Sequence, residues 1–382
     1  MPARNKPAPS RPETPLEGII RQQIAADGPL SIADFMDRCL NHPQHGYYQS
    51  QEPFGVGGDF VTAPEVSQVF GELIGLWLAT AWEQMGRPGS FRLVELGPGR
   101  GQLMADLLRA TSKVPAFLEA ADIHLVESSR RLADWQRQAL AGCDIAWYED
   151  LSTVPGGPLF LIANEFFDAL PTHQLVRSER GWRERLVAVD DGEALIFADC
   201  DAPAPLADML ADLSDTEPAQ IAEISPARED LARSIGERLR QDGGVAVIID
   251  YGAWVDRATG DTLQAVKAHR QVDPLSAPGD VDLTTQVDFK RLGLAAADGG
   301  ADVFGPVPQG PFLRTLGIEM RMAALLKRAD DRQRQDLREA LFRLTDASAM
   351  GELFKVLVLG SPGAQPPPGF AAPSLGGGSV TS

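Results

Sequence analysis

The sequence predicts an α/β protein built on a mainly parallel sheet. Three observations carry that prediction. From Phe91 onward, strand-length apolar runs alternate with amphipathic helical stretches, as in consecutive βαβ units. The run "VELGPGRG" places Gly97, Gly99 and Gly101 between a strand and a helix. The longest apolar runs, such as "VAVII" at Val245–Ile249, stay at strand length, far below the ~20 residues of a membrane-crossing helix.

The chain has 382 residues, room for two to three domains or one enlarged domain at roughly 150 residues each. Hydrophobic residues make up 44%, enough for a sizeable core. The 35 Lys and Arg face 53 Asp and Glu, a formal charge of −18. Such a surface repels phosphate backbones, so a nucleic-acid partner is not expected. Cys39, Cys143 and Cys200 form no Cys-x-x-Cys pair, so neither a disulfide framework nor a metal site is expected, and a reducing compartment fits.

In chain order, residues 1–15 are Pro-rich and lack the apolar core of a secretory signal, which reads as a disordered leader. Residues 16–90 are mostly helical. In "PEVSQVFGELIGLWLATAWEQM", Val66, Val69, Phe70, Leu73, Leu76 and Trp77 repeat at helical period, with Pro64 in the first turn. Strands follow at "FRLVEL", "DIHLVE", "DIAWYED", "PLFLIAN" and "GVAVIIDYG", separated in part by the helices "QLMADLLRAT", "SSRRLADWQRQAL" and "PAREDLARSIGERLRQ". Within this 91–252 core, residues 172–222 look like inserted antiparallel strands, with turns at Arg180–Gly181 and Asp191–Gly192. Residues 253–310 read as an irregular insertion. Residues 311–360 read as helices ending in "LFKVLVL", a strand expected to close one sheet edge, and 361–382 as a Pro/Gly/Ser-rich disordered tail.

The glycine spacing narrows the ligand. A dinucleotide loop needs G-x-G-x-x-G or a closing Ala, and position 102 is Gln; a phosphate-cradling loop needs Gly-Lys-Ser/Thr, which is absent. An acidic strand end, Glu95, before G-x-G-x-G suits a cofactor without pyrophosphate but with a cationic amino-acid end, such as S-adenosylmethionine (SAM). The alternative is a tight strand–helix turn without a ligand. Glu127 ends the next strand, where a carboxylate can accept ribose hydroxyls, and Asp150 ends the third, placed for the adenine amine.

"ANEFFDALP" sits at the end of the fourth strand. Glu165 and Asp168 stand three apart, on one face if the chain turns helically there. Two carboxylates converging on a planar cation suit a guanidinium. Asn164 is placed to orient an acceptor, and Phe166 and Phe167 to exclude water and stack on the cation. The alternative is that Glu165 or Asp168 caps a helix.

These residues resemble the SAM-dependent protein-arginine methyltransferases of the mitochondrial complex I assembly-factor (MidA-like) family, which has bacterial members. The resemblance rests on "GDFVTAPEVSQVFGELIG", "VELGPGRG", "HLVE", "NEFFDALPTHQ", "IIDYG", "DPLSAPGDVDLTTQVDF" and "MGELFKVL", and runs from about Pro15 to Gly360. It implies a class I methyltransferase (Rossmann-like) fold with SAM at Gly97, Gly99, Gly101 and Glu127. It also implies an acceptor site made by the first motif's loop (Asp59, Phe60, Thr62, Pro64, Glu65) and by the 163–171 stretch, with His173 nearby. The implied substrate is an arginine of a complex I subunit. The implied location is the cytoplasm in a bacterium or the mitochondrial matrix in a eukaryote. Gln102 stands where the family suggests Thr or Ser, and Ala253 where His often follows "DYG". His173 and His269 are candidate proton relays or plain hydrogen-bonded side chains, and Asp250 either caps or lines the pocket. Two rival readings are a SAM-binding assembly factor without turnover and a dinucleotide oxidoreductase.

Overall fold

The computed structural model describes residues 13–51, 62–179, 181–210, 221–254 and 260–375. Its central sheet contains β1 (Phe91–Leu96), β2 (Ala121–Val126), β3 (Ile145–Tyr148), β4 (Leu159–Asn164), β5 (Gly244–Ala253), β6 (Asp302–Pro308) and β7 (Phe354–Gly360). Their order is β6-β7-β5-β4-β1-β2-β3, with the short strand Val287–Asp288 added beside β5. Strands β1 to β5 run parallel, and β7 lies antiparallel to both β5 and β6. The chain leaves β1 toward β2 and β3, then returns to β4 and β5 on the other side. That reversal opens a crevice at the carboxyl ends of β1 and β4, where open α/β sheets bind ligands.

Both sheet faces are covered, which is why β4 and β5 read as unbroken apolar runs. On one face Leu93, Phe160, Ile162, Val247 and Ile249 pack with Trp77, Leu78 and Leu107 from the helices Gln68–Gln84 and Gln102–Thr111. On the other, Val94, Leu161, Ala246 and Ile248 pack with Ile235, Leu239 and Leu292 from Pro226–Asp242 and Phe289–Asp298. The carboxylate of Glu72, 4% exposed, is clamped by Arg109 at 2.6 Å and Arg321 at 2.6 Å, tying three helices together.

The inserted strands are antiparallel as expected: His173–Ser178, Gly181–Val189, Leu195–Asp201 and Ile221–Ile224. Four expectations need correction. The helix expected from Pro64 breaks at Ser67, whose backbone is extended (φ −162°, ψ 135°) and whose hydroxyl accepts from Val69 N–H to start a new helix at Gln68. Residues 289–308, read as irregular, form a helix and the edge strand β6; Gly305 and Pro306 inside β6 hid it. The strand β7 therefore lies inside the sheet, not at its edge. The tail as far as Leu375 packs on the core: Trp77 Nε1–H donates to Pro368 O at 2.8 Å, Phe370 meets Phe312, and Val303 N–H donates to Leu375 O. A few aromatic and backbone anchors hold a segment whose composition suggests disorder.

Candidate active site

The crevice is built outward from β1. Gly97 and Gly99 both take left-handed backbone conformations (φ 59° and 55°), and Gly101 (φ 81°) starts the helix Gln102–Thr111. A side chain at Gly97 would also meet the Phe166 ring, since a Cβ would stand 2.6 Å from Phe166 Cδ2. The glycine loop and the turn after β4 thus touch. A cleft lies between them, lined by Glu95, the loop from Gly97 to Arg100, Thr62, Pro64, Glu65, Asn164 and Glu165.

Glu95 is 3% exposed and its Oε2 has no hydrogen-bond partner. Burial, with the Glu127 charge adding to it, pushes its carboxyl up to about 8. A buried carboxylate with one oxygen unpartnered, beside a loop of alternating glycines, fits a cationic ligand that comes close to backbone. The residues present therefore fit SAM, whose amino-acid end and sulfonium are positive. Glu127, raised by burial to about 7, accepts from Ser129 N–H at 2.8 Å and Gln136 Nε2–H at 3.0 Å. It stands at the end of β2, outside the lining of the cleft. Asp150 is exposed and accepts from Ser152 N–H at 2.7 Å, capping the turn Leu151–Thr153; those bonds hold its carboxyl below the usual range.

Gln136 was not singled out from sequence. Fully buried, it donates to both Gly99 O (2.9 Å) and Glu127 Oε2, and accepts from Trp147 Nε1–H (3.0 Å). One amide therefore joins the glycine loop, the β2 acid and β3. Its sequence signal was a glutamine on the buried stripe of Leu132 and Ala133.

At the end of β4 the chain does not turn helically. Glu165 is left-handed (φ 50°), a conformation costly for a residue with a side chain. It is held there by its N–H to Ile249 O at 2.9 Å. Its Oε1 accepts from Ala63 N–H at 3.0 Å and from Asn164 Nδ2–H at 3.3 Å, and burial pushes its carboxyl up to about 8. Glu165 thus caps a neighbouring short helix, Ala63–Val66, while lining the cleft.

The expected shared face of Glu165 and Asp168 is corrected by this turn. Asp168 is 6% exposed, and its carboxylate takes a hydrogen bond from Tyr251. Its backbone is pinned from two sides. Asp250 Oδ2 accepts from Phe167 N–H at 3.0 Å and Asp168 N–H at 3.2 Å. Arg228, buried and unforeseen, donates to the carbonyls of Phe167 (2.6 Å), Asp168 (3.0 Å), Thr285 (3.1 Å) and Gln286 (2.8 Å). Asp250 therefore acts as a cap.

Phe167 is fully buried in the core and offers no face to a cation, whereas half-buried Phe166 covers Gly97. His173 lies in the inserted sheet with Nδ1 2.6 Å from Glu184 Oε1, away from the cleft. His269 is exposed in a tight hairpin turn between Gln264–Lys267 and Arg270–Val272. Asp59 and Phe60 lie outside the described residues. Among the described residues no group of three His, Cys, Asp or Glu is placed for a metal, and no helix is long and apolar enough to cross a membrane.

A doubly wound sheet with a glycine loop and acids at its carboxyl edge defines a nucleotide-cofactor enzyme of the Rossmann-like class. The family model described as S-adenosyl-L-methionine-dependent methyltransferase matches residues 73–307, and the chain belongs to that family, with SAM as its methyl donor. The mitochondrial protein arginine methyltransferase NDUFAF7 of Rattus norvegicus is 37% identical over 384 residues, covering 93% of this chain and 86% of that protein. The Homo sapiens protein of that name is 35% identical, covering 93% and 85%. A methyl transferase-like crystal structure from Burkholderia thailandensis, bound to S-adenosyl-homocysteine, superposes with TM-score 0.82 at 30% identity and covers 93% of each chain.

Proposed function

We propose that this chain methylates an arginine side chain of a protein partner, with Glu165 as the residue that takes up the proton. The observation that carries the reading is the Glu165 carboxylate, held in a strained turn at the cleft beside the glycine loop. The relatives' printed name, protein arginine methyltransferase, gives the acceptor class. The family resemblance points to a complex I subunit as the partner. The word mitochondrial in the relatives' names supports a mitochondrial location for a eukaryotic chain; the matrix there, and the cytoplasm for a bacterial chain, are what the family resemblance implies.

When bound, SAM supplies an electrophilic methyl group on a sulfonium. Gly97, Gly99 and Gly101 would admit it to the backbone, Glu95 would face its cationic end, and Glu127 its ribose. A guanidinium, with pKa above ~12, is a poor nucleophile until its charge is localised. Glu165 does that from the acceptor side. Its Oε1 is fixed by Ala63 N–H and Asn164, which leaves Oε2 for a guanidinium N–H. The methyl's bond to sulfur would break as the new C–N bond forms, with S-adenosylhomocysteine as the leaving group, and the methylated nitrogen would pass its proton to Glu165. Burial pushes this carboxyl up to about 8, which favours its taking up a proton, and a guanidinium beside it favours the ionised form that can accept one.

The test is transfer of label from methyl-labelled SAM into a complex I preparation, followed by mass spectrometry of the labelled residue. Label on arginine supports the proposal. Label elsewhere overturns the acceptor class. Tight partner binding without label supports the rival non-catalytic assembly factor.

A further inference from the structure

The edge of a β-sheet exposes backbone donors and acceptors, and folded chains shorten, cover or charge such edges. This chain covers one of its two long edges. Along the outer side of β6 the tail is bonded in place, with Val303 N–H donating to Leu375 O at 2.8 Å and Ser374 N–H to Val303 O at 2.7 Å. The other edge strands are two to four residues long, with one exception. The exception is Leu195–Asp201 in the inserted sheet. It has seven residues, and among the described residues it pairs with Gly181–Val189 alone.

The register shows which backbone groups this edge presents. Asp190 N–H donates to Ala194 O at 3.0 Å at one end of the hairpin, and Ala202 N–H to Trp182 O at 3.3 Å at the other. Bonded and non-bonded residue pairs alternate along an antiparallel ladder. Ile196, Ala198 and Cys200, opposite Ala188, Leu186 and Glu184, therefore direct their amides to the neighbouring strand. Leu195, Phe197, Asp199 and Asp201 turn theirs outward. Arg183 Nη2–H reaches Asp199 O at 3.0 Å, as expected of a carbonyl facing off the ladder. Among the described residues no group accepts from those four outward N–H groups.

Side chains and charge narrow what can pair there. Ile196 and Phe197 are 39% and 40% exposed and stand on opposite faces of the strand, so a strand laid alongside covers part of both. Residues 181–201 hold six acids against two arginines, a formal −4. Both arginines are engaged. Arg183 pairs with Asp199 and Asp201, and Arg185 pairs with Asp261 while lying 5.1 Å from the Phe197 ring centroid. Asp190, Asp191 and Glu193 stand exposed at the turn, with no ion-pair partner among the described residues. A second copy of this edge would bring the same charge and be repelled, whereas a basic strand is attracted.

We propose that the outer edge of Leu195–Asp201 takes up an extended basic segment of a partner protein as an added strand. The four outward N–H groups and their carbonyls supply the main-chain bonds, and Ile196, Phe197 and the acids at the turn select the segment. None of these residues lines the cofactor cleft. The inference goes beyond the arginine reading and does not depend on it.

The test uses the full-length protein and three synthetic peptides of about eight residues, a strand's length. They are a Lys-Val repeat, a Glu-Val repeat, and the Lys-Val repeat with all its backbone amides N-methylated, which keeps the charge but cannot donate to a ladder. In low-salt calorimetry the Lys-Val repeat is expected to bind at least ~10-fold tighter than either of the others, the scale of a few hydrogen bonds or of a charge preference. Amide hydrogen exchange at Leu195, Phe197, Asp199 and Asp201 is expected to slow when it binds. Phe197→Pro deletes one outward N–H and none of the bonds to Gly181–Val189. It is expected to weaken the peptide by about 5-fold, the scale of one hydrogen bond, with S-adenosylhomocysteine affinity unchanged. The N-methylated peptide carries the test if that variant fails to fold. Equal binding of the N-methylated or the Glu-Val peptide overturns the added strand, and so does protection confined to other parts of the chain. A concentration-dependent dimer of the protein alone that protects the same four amides, and that Phe197→Pro dissolves, assigns the edge to a second copy and overturns the proposal. Peptide binding is read without turnover, so these outcomes are independent of the label-transfer test of arginine methylation.

Discussion

The two ends of the crevice are built differently. At the cofactor end, Glu95, Gly97, Gly99 and Gly101 fall within seven consecutive residues, and Glu127 and Gln136 lie on the next βα unit. At the acceptor end, the turn after β4 is shaped by Asp250 and Arg228, 82 and 60 residues away from Asp168. A local site survives on backbone conformation, whereas an assembled one depends on buried charges that hold distant segments in register. The first should lose ligand affinity when altered, and the second should lose geometry and rate.

The largest expected effect therefore falls on Arg228. Arg228→Met keeps much of the volume but strips donors from the carbonyls of residues 167, 168, 285 and 286. It also leaves Asp250 and Asp168 without their nearby cation. Losing one partner of such a buried set costs about 3–5 kcal/mol. Thermal or denaturant unfolding measures it, and a loss under 1 kcal/mol would show the two ends to be equally local.

Next comes Glu165→Gln. The amide preserves shape but neither takes a proton nor opposes a cation. Methyl transfer is expected to fall at least ~100-fold, the scale of a positioned acid–base group, with SAM affinity nearly unchanged. Single-turnover label transfer and cofactor titration separate the two quantities. Equal losses in both would merge the ends that the structure keeps apart.

On the cofactor side, Glu127→Ala is expected to weaken SAM by about 1.5–3 kcal/mol, through lost charge-assisted hydrogen bonds. The fold should persist, because Gln136 still links Gly99 and Trp147. Calorimetry of SAM binding reads this directly, and an unaltered affinity would move the ribose contact away from Glu127.

The same contrast explains what was legible in the sequence. The strands β1, β4 and β5 and the glycine loop could be read because both their pattern and their ligand logic are contiguous. Glu165 was legible as a costly acid at a strand end. Its left-handed turn was not, because the Ile249 carbonyl that accepts its N–H lies 84 residues on. The shared face expected of Glu165 and Asp168 failed for the same reason: spacing of three implies a shared face only in a helix, and Asp250 and Arg228 impose another path. Arg228 left no local mark, being one arginine among several in an amphipathic helix. The β6 strand was missed because Gly305 and Pro306 look like a loop, while its pairing with β7 lies about 50 residues downstream.

The smallest expected effect is a slope, and it sharpens the comparison without damaging either end. In the cofactor-free protein, burial holds Glu165 at about 8 against an ordinary 4.5. Between those values the unfolded chain has released this proton and the folded chain keeps it. The folded state thus binds more protons, and stability falls as pH rises. This group's contribution is fully present below about 4.5 and is lost as pH climbs through about 8. One such group gives at most ~1.4 kcal/mol per pH unit. Glu95 and Glu127, raised to about 8 and about 7, act in the same direction, so wild type should lose stability from pH 5 to 8. Glu165→Gln should flatten part of that slope and leave the share of the two cofactor-side acids. Saturating SAM should flatten the cofactor-side share, because a cation beside Glu95 favours its ionised form, while Asp168, raised to about 6, keeps its part of the slope. Melting curves across that pH range, with and without SAM, resolve the two shares. A wild-type slope that SAM alone removes, with Glu165→Gln unchanged from wild type, would mean that Glu165 is ionised in the free protein and already has a cationic neighbour.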